Sequence, residues 1–119
     1  MRVVTQRFEI FRGDTVDKYF TVYEDCDENV RKQLVDAWIT IKKRMDDSDS
    51  EAVIKKSGLV KDPQAGLIKL SLTSTETSVF PNWYYDYVYD IKIKDTNDKI
   101  LTAFVGTMGV NPSITNQPE

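Results

Sequence analysis

Apolar and polar side chains alternate along residues 83–95, WYYDYVYDIKIKD, more regularly than anywhere else in the chain. Successive side chains of a β-strand point to opposite faces, so strict alternation is typical of a strand with one buried face and one solvated face. We therefore predict a long strand, central in an antiparallel sheet. The two faces are Tyr85, Tyr87, Tyr89, Ile91 and Ile93 against Asp86, Val88, Asp90, Lys92 and Lys94.

Shorter segments with similar patterns predict further strands, at residues 6–11, 17–24, 36–44, 52–56, 67–72 and 99–110. In the third of these, Ala37, Ile39 and Ile41 are expected to point inward. In the segment 67–72 the inward set is either Ile68, Leu70 and Leu72 or the alternate positions. The last segment is expected to point inward through Ile100, Leu101, Phe104 and Val105, with Gly106 and Gly109 marking a bulge or a close approach by another chain.

The segments between these strands carry turn signals. Gly13 suits a positive φ after the first strand, and residues 96–98 form a hairpin turn. Residues 73–80 predict a short helical crossover, capped by Thr73 or Ser74. About seven closely spaced strands indicate an all-β, immunoglobulin-like antiparallel β-sandwich over residues 1–110. Residues 111–119 lack a core pattern, and we expect a flexible tail or one that a partner orders.

Composition narrows the classes of protein. The chain has 119 residues and a net charge of -3, which fits one domain and argues against a nucleic-acid partner. No apolar run is long enough for a signal peptide or a membrane span, so we expect no membrane partner and synthesis in a cytoplasm. The chain has no histidine and one cysteine, Cys26. It therefore lacks the commonest general base and metal ligand, and it cannot form a disulfide within itself.

Candidate chemical sites are weak. Arg12-Gly13-Asp14 spells an adhesion motif but joins two predicted strands, which favours a turn. The acidic runs 25–28 and 46–51 lack the spacing of a calcium loop, so solvated loops are favoured over a metal site. Asp86 and Asp90 share a face with lysines, which favours charge pairing across strands over acid–base catalysis. We expect no cofactor, no metal and no catalytic residue.

Aromatic side chains give the better candidates for binding. The alternation that buries Ala37 and Ile39 sends Trp38 outward, either to an interface or beneath a covering loop, residues 45–57. Phe80, Trp83 and Tyr84 form a second cluster, for which packing in the core or on the crossover is favoured over an interface. The contact residues we predict are Trp38, Tyr84, Thr107, Gly109, Val110, Pro112 and Ile114.

Several segments carry a resemblance to a known family. They are FRGDT, the strand YFTVYED, DPQAGLIKLSLT, and the crossover TETSVFP leading to YDYVYDIKIKD. Over residues 6–110 the chain resembles small immunoglobulin-like structural proteins of tailed bacteriophages, and it is similar to the N-terminal domain of baseplate upper proteins. It departs from that pattern between Asp25 and Val35, where its loop is longer and charged. It also ends soon after residue 110, so we expect no receptor-binding module to follow.

The resemblance implies a virion protein that acts in multiple copies by contacting other virion proteins in the head, neck, tail or baseplate. It implies no enzyme activity and supplies no catalytic residues. A glycan-binding module that helps adsorption to a host is the alternative, because exposed Trp38 and Tyr84 suit stacking on sugar rings. The expected location is the virion, after synthesis in the host cytoplasm.

Overall fold

A computed structural model describes residues 3–24 and 30–114. Within these residues the chain forms nine strands, a four-residue helix and a short 3-10 turn at Asp49–Glu51. The elements in chain order are β1 (Val4–Thr5), β2 (Phe8–Phe11), β3 (Val16–Thr21), β4 (Leu34–Lys42), β5 (Ile54–Lys56), β6 (Val60–Asp62), β7 (Leu67–Leu72), α1 (Ser74–Thr77), β8 (Tyr85–Asp95) and β9 (Ile100–Asn111).

The larger sheet has six strands, and β8 lies at its centre as predicted. Its order is β1-β9-β8-β4-β5, with β2 also paired to β9. The β8–β9 and β4–β8 pairs are antiparallel, but β1 and β2 run parallel to β9. The expectation of a purely antiparallel sheet is therefore wrong at this edge. β1 and β2 are far from β9 in the sequence, so no hairpin turn imposes an antiparallel direction on the pair.

The smaller sheet has three strands in the order β3-β7-β6, all antiparallel. Its inner side chains meet those of the larger sheet in one core, and Phe20 and Phe104 join the sheets with ring centroids 4.9 Å apart. The predicted inward residues of β4 are buried, and so are those of β8 except Tyr85, which is partly buried, while β7 points inward through Ile68, Leu70 and Leu72. The fold is all-β and sandwich-like.

The last strand departs from its predicted inward set. Ile100 is 60% exposed and Val105 is half-buried, whereas Ala103, Met108 and Val110 are buried with Phe104. The register between β8 and β9 shifts where Ile91 and Lys92 face Phe104 and Thr102, which leaves Ala103 as an extra residue. This bulge reverses the alternation, so a continuous pattern could not predict the strand correctly.

Two local predictions are confirmed. Thr73 caps α1 because its hydroxyl accepts a hydrogen bond from the Glu76 backbone N–H, and the Glu76 carboxylate accepts one from the Thr73 backbone N–H. Gly13 adopts a φ of 86° in its turn. Gly106 marks a close approach, but by a segment of this chain, because a Cβ there would overlap the Gln6 carbonyl oxygen.

Candidate functional site

The outer face of the larger sheet carries most of the chain's surface chemistry. Three zones follow the β8–β9 hairpin from the 96–98 turn to its opposite end. The first zone is a groove, the second a charged cluster, and the third a group of exposed apolar side chains. The groove is built mainly from side chains that the alternation of the long strands turns away from the core, whereas the third zone comes mainly from the segments that flank the strands.

The first zone, the outer groove, has a volume of about 540 Å³. Its floor comes from β4, β8 and β9, and the connection between β4 and β5 contributes to its wall. Lys42 holds that connection in place, since its Nζ lies 2.8 Å from Asp49 Oδ1 and donates to the Asp47 carbonyl at 2.9 Å. The groove is lined by Thr5, Trp38, Thr40, Lys42, Met45, Asp49, Lys55, Val88, Tyr89, Asp90, Lys92, Val105, Gly106 and Thr107.

Two of the predicted contact residues, Trp38 and Thr107, both line this groove. Trp38 lies opposite Lys92 on β8, and Thr107 lies opposite Val88 on the other side of the same strand. Both are half-buried. Trp38 is therefore neither fully exposed nor covered, and part of the predicted covering loop, at Met45 and Asp49, lines the same groove.

The second zone, the Arg7 cluster, consists of Arg7, Glu9, Tyr84 and Asp86. The Arg7 guanidinium donates to Asp86 Oδ1 at 2.8 Å and to Glu9 Oε2 at 3.0 Å, and it also bonds the Tyr84 hydroxyl. Tyr84 donates to Asp86 at 2.8 Å. This cluster lies over Gly109, where a Cβ would stand 2.8 Å from Arg7 Nη2. The glycine at position 109 therefore makes room for the cluster.

One guanidinium is shared by two carboxylates in the cluster. The hydrogen bond from Tyr84 and the charge of Arg7 lower the pKa of Asp86, and the bonds from Asn111 and Arg7 lower the pKa of Glu9. Their carboxylates raise the pKa of Arg7, and Asp86 raises the pKa of Tyr84. Each charge is partnered within the cluster, so none of these groups is prepared for proton transfer near neutral pH.

The third zone, the apolar end, consists of Phe11, Val79, Trp83, Tyr84 and Ile114. These side chains are 55%, 57%, 62%, 46% and 101% exposed respectively. Hydrogen bonds hold their segments together: Ser113 N donates to Asn82 Oδ1 at 2.8 Å, and the Arg12 backbone N–H donates to the Asn111 carbonyl at 2.9 Å. Exposed apolar side chains gathered at one place are typical of an interaction surface.

The Arg12-Gly13-Asp14 motif has a structural use at this end. The Arg12 side chain donates from Nε to the Phe80 carbonyl at 2.6 Å and from Nη2 to the Ser78 carbonyl at 3.2 Å. It thereby fixes the connection between α1 and β8. The guanidinium is committed to the chain's own backbone, which favours the turn over adhesion.

The other predicted contact residues divide by burial. Val110 is fully buried and Gly109 is covered by the Arg7 cluster, so their side-chain positions face no partner in this fold. Val110 was misplaced although it lies six residues after Phe104 and therefore shares its inward face. Pro112 and Ile114 are exposed at the apolar end. The rest of the predicted tail, and Cys26 with the acidic run 25–28, falls largely outside the described residues.

Sequence reasoning missed part of the apolar end. It favoured packing for Phe80, Trp83 and Tyr84 together, but only Phe80 is buried, at 1% exposed. Trp83 and Val79 lie in irregular backbone, where no periodicity reports direction. Phe11 could have been found, because the alternation that points Phe8 and Ile10 inward points Phe11 outward.

No protein-family model and no curated protein matches this chain. Residues 3–24 and 30–114 contain no group of three or more acidic or cysteine side chains placed to hold a metal ion. In the same ranges, no helix has the length and apolar character needed to cross a bilayer.

Proposed function

We propose that the chain is a non-enzymatic structural protein of a bacteriophage virion, with an immunoglobulin-like fold, which docks onto other virion proteins through its apolar end. The resemblance of residues 6–110 to phage structural proteins supports the virion role. The observation that carries the docking role is the exposed group of Phe11, Val79, Trp83, Tyr84 and Ile114 at one end of the molecule.

The strand order supports the immunoglobulin-like fold. In such domains strands B, E and D lie in one sheet and strands C, F and G in the other, and variable-type domains add C′ beside C. If β3 to β9 are taken as B, C, C′, D, E, F and G, the sheets become B-E-D and C′-C-F-G, which is the order observed. The broken first strand, β1 and β2, then pairs with G rather than with B.

The chemistry of the apolar end suits a protein partner. Trp and Tyr are enriched among the residues that dominate binding energy, and they act best at the centre of a desolvated contact. Tyr84 belongs to the Arg7 cluster and Trp83 precedes it in the chain, so the charged groups of the cluster supply a polar border. An apolar centre with a polar border is the usual arrangement of a protein–protein interface.

Particle incorporation tests this proposal. A tagged chain carrying Trp83→Ser and Ile114→Ser is produced together with the other virion proteins, and its amount in purified particles is compared with wild type. We expect at least a tenfold loss. The matched control is Ile100→Ser, which removes an equally exposed apolar side chain at the other end of β9. Particles that lack the wild-type chain would contradict the virion role, and normal incorporation of the double variant would contradict docking through this end.

We propose glycan binding as the second candidate function, on the specific ground of the outer groove. Trp38 offers an aromatic surface there, and Asp90, Lys92 and Thr107 offer hydrogen-bonding groups beside it. A glycan array with wild type and Trp38→Ala tests this function. Binding by wild type that Trp38→Ala abolishes would support it, and an array without signal at high protein concentration would remove it.

A further inference from the structure

The outer edge of β3 presents a row of backbone groups without partners. Val22 N donates to the Gly66 carbonyl at 2.9 Å, so the even-numbered residues of this strand direct their backbone groups toward β7. Asp17, Tyr19 and Thr21 therefore direct their N–H and C=O groups away from the sheet. Among the described residues nothing accepts or donates a bond on that side. Such a row is a template for another strand.

The other sheet edges are too short or too irregular to pair with another strand, so β3 is the edge best suited to pairing among the described strands. β5 has only three residues, and β6 has three with a register shift before Pro63. On the opposite side of the larger sheet the edge strand is broken into β1 and β2, where Gln6 crosses over Gly106. In contrast, β3 is six residues long, has no proline, and pairs with β7 without a register shift.

A second copy of the same strand fits this edge in one register better than in its neighbours. Centring an antiparallel pair on Asp17 would oppose two carboxylates, and centring it on Lys18 would oppose two ammonium groups. Centring it on Tyr19 places Asp17 opposite Thr21 and Lys18 opposite Phe20, so no like charges face each other. Centring it on Phe20 would also oppose no like charges, but it would place Asp17 opposite Tyr23, outside β3. Only the register centred on Tyr19 lets Asp17, Tyr19 and Thr21 all exchange backbone bonds with β3 of the second copy.

The side chains around Tyr19 suit this pairing. Tyr19 is 53% exposed on the outer face, and the two tyrosines would lie side by side across the two-fold axis. Lys69 Nζ lies 3.7 Å from Asp17 Oδ1 and 5.7 Å from the centre of the Tyr19 ring, which neutralises the acidic position beside the pair. An inward-pointing charge often protects an edge strand, but Lys18 is held over the rings of Phe8 and Phe20, at 5.2 and 5.4 Å.

We propose that two copies of this chain associate through antiparallel pairing of β3 with β3, centred on Tyr19, to join their three-stranded sheets into one. The pairing rests on the edge of β3 alone. It depends neither on the virion role nor on docking through the apolar end.

The oligomeric state over a range of concentrations tests the pairing first. Sedimentation equilibrium of the full chain is expected to show a monomer–dimer equilibrium. Tyr19→Lys opposes two ammonium groups at the axis, so it should raise the dissociation constant at least tenfold. Ile100→Lys is the matched control, because Ile100 is a similarly exposed apolar residue in β9 of the other sheet, and it should leave the constant unchanged. A wild-type monomer at every concentration, or a dimer weakened by Ile100→Lys and not by Tyr19→Lys, would overturn the proposal.

Cross-linking tests the register directly. In a chain with Cys26→Ser, cysteine is introduced by Tyr19→Cys or, as control, by Asp17→Cys. Opposite residues of a hydrogen-bonded antiparallel pair have Cα atoms about 5.5 Å apart, within the range of a disulfide. The two copies of position 17 would lie four residues apart along the strands, about 13 Å, which is too far. Oxidation should cross-link the first variant and not the second, and equal cross-linking of both would overturn the register.

Discussion

The two ends of the β8–β9 hairpin are made from the same two strands, but they differ in which side chains they expose to solvent. At the turn end, Asp95 is 3% exposed and accepts hydrogen bonds from the backbone N–H groups of Asn97 and Lys99 at 2.9 and 3.0 Å. Lys32 Nζ lies 3.5 Å from its other oxygen. The exposed apolar side chains on this half of the hairpin include Val3, Val4, Val35 and Ile100, none of them aromatic. At the apolar end five apolar side chains are exposed, and three of them are aromatic.

This difference separates contacts that stabilise the fold from exposed side chains that the fold does not need. The turn end is built from polar groups that bond one another, so it needs no partner. The apolar end leaves large side chains in water although Phe80, its neighbour, is fully packed against Tyr87 with ring centroids 4.8 Å apart. Exposed Trp83 should add little to the stability of the isolated chain, which is why we propose for it a contact with another protein.

Phe80 and Trp83 give the largest expected contrast. Phe80→Ala empties a fully buried site and should lower the free energy of unfolding by about 3–5 kcal/mol. Trp83→Ala removes a side chain that is 62% exposed, and the change should stay within about 0.5 kcal/mol. Urea unfolding of both variants measures the difference. Comparable losses would mean that Trp83 is part of the fold and would break the contrast between the two ends.

At the turn end, Asp95→Asn should change the response to acid. The hydrogen bond from the Lys99 N–H is the first cause that lowers the pKa of Asp95, and the bond from Asn97 and the charge of Lys32 add to it. Since the folded pKa lies below the unfolded value of about 3.9, the carboxylate stabilises the fold above that pH, and this contribution is lost as pH falls through the folded pKa. Urea midpoints from pH 6 to pH 2.5 should therefore fall less steeply for the variant, whereas equal slopes would show that the buried carboxylate is not linked to stability.

Asp98→Gly tests the turn end with the smallest expected effect. Asp98 has a φ of 61°, a left-handed conformation that costs less for glycine, whereas its bond to the exposed Lys94 is long at 3.5 Å. The two effects oppose each other, and we expect a net gain of about 0.5 kcal/mol at most. Thermal unfolding checks this. A clear loss of stability would show that the ion pair, and not the backbone, closes the hairpin.

Alternation predicted the residues that face the core where a strand is regular. The inward sets of β4 and β8 followed from period two, and the cap of α1 followed from Thr73 and Glu76. Parallel pairing of β2 with β9 could not be predicted, because the alternation within one strand does not name its neighbour or its direction.

The candidate surfaces were harder to predict than the core. Trp38 and Thr107 were each expected to point outward, but their meeting in one groove depends on the register of three strands. Val110 was placed on the surface because the predicted inward set of β9 mixed both faces of the strand, and the bulge at Ala103 that separates them has no clear signal in the sequence. The free edge of β3 depends on where β2 pairs, and so no pattern within β3 itself reports it.

Hydroxyl-radical footprinting of the chain, free and within the particle, tests the central claim most directly. We predict that oxidation of Trp83, Phe11 and Ile114 falls several-fold in the particle, while oxidation of Ile100 at the turn end stays the same. Unchanged oxidation at the apolar end, or protection confined to Ile100, would contradict the assignment of the apolar end as the docking surface.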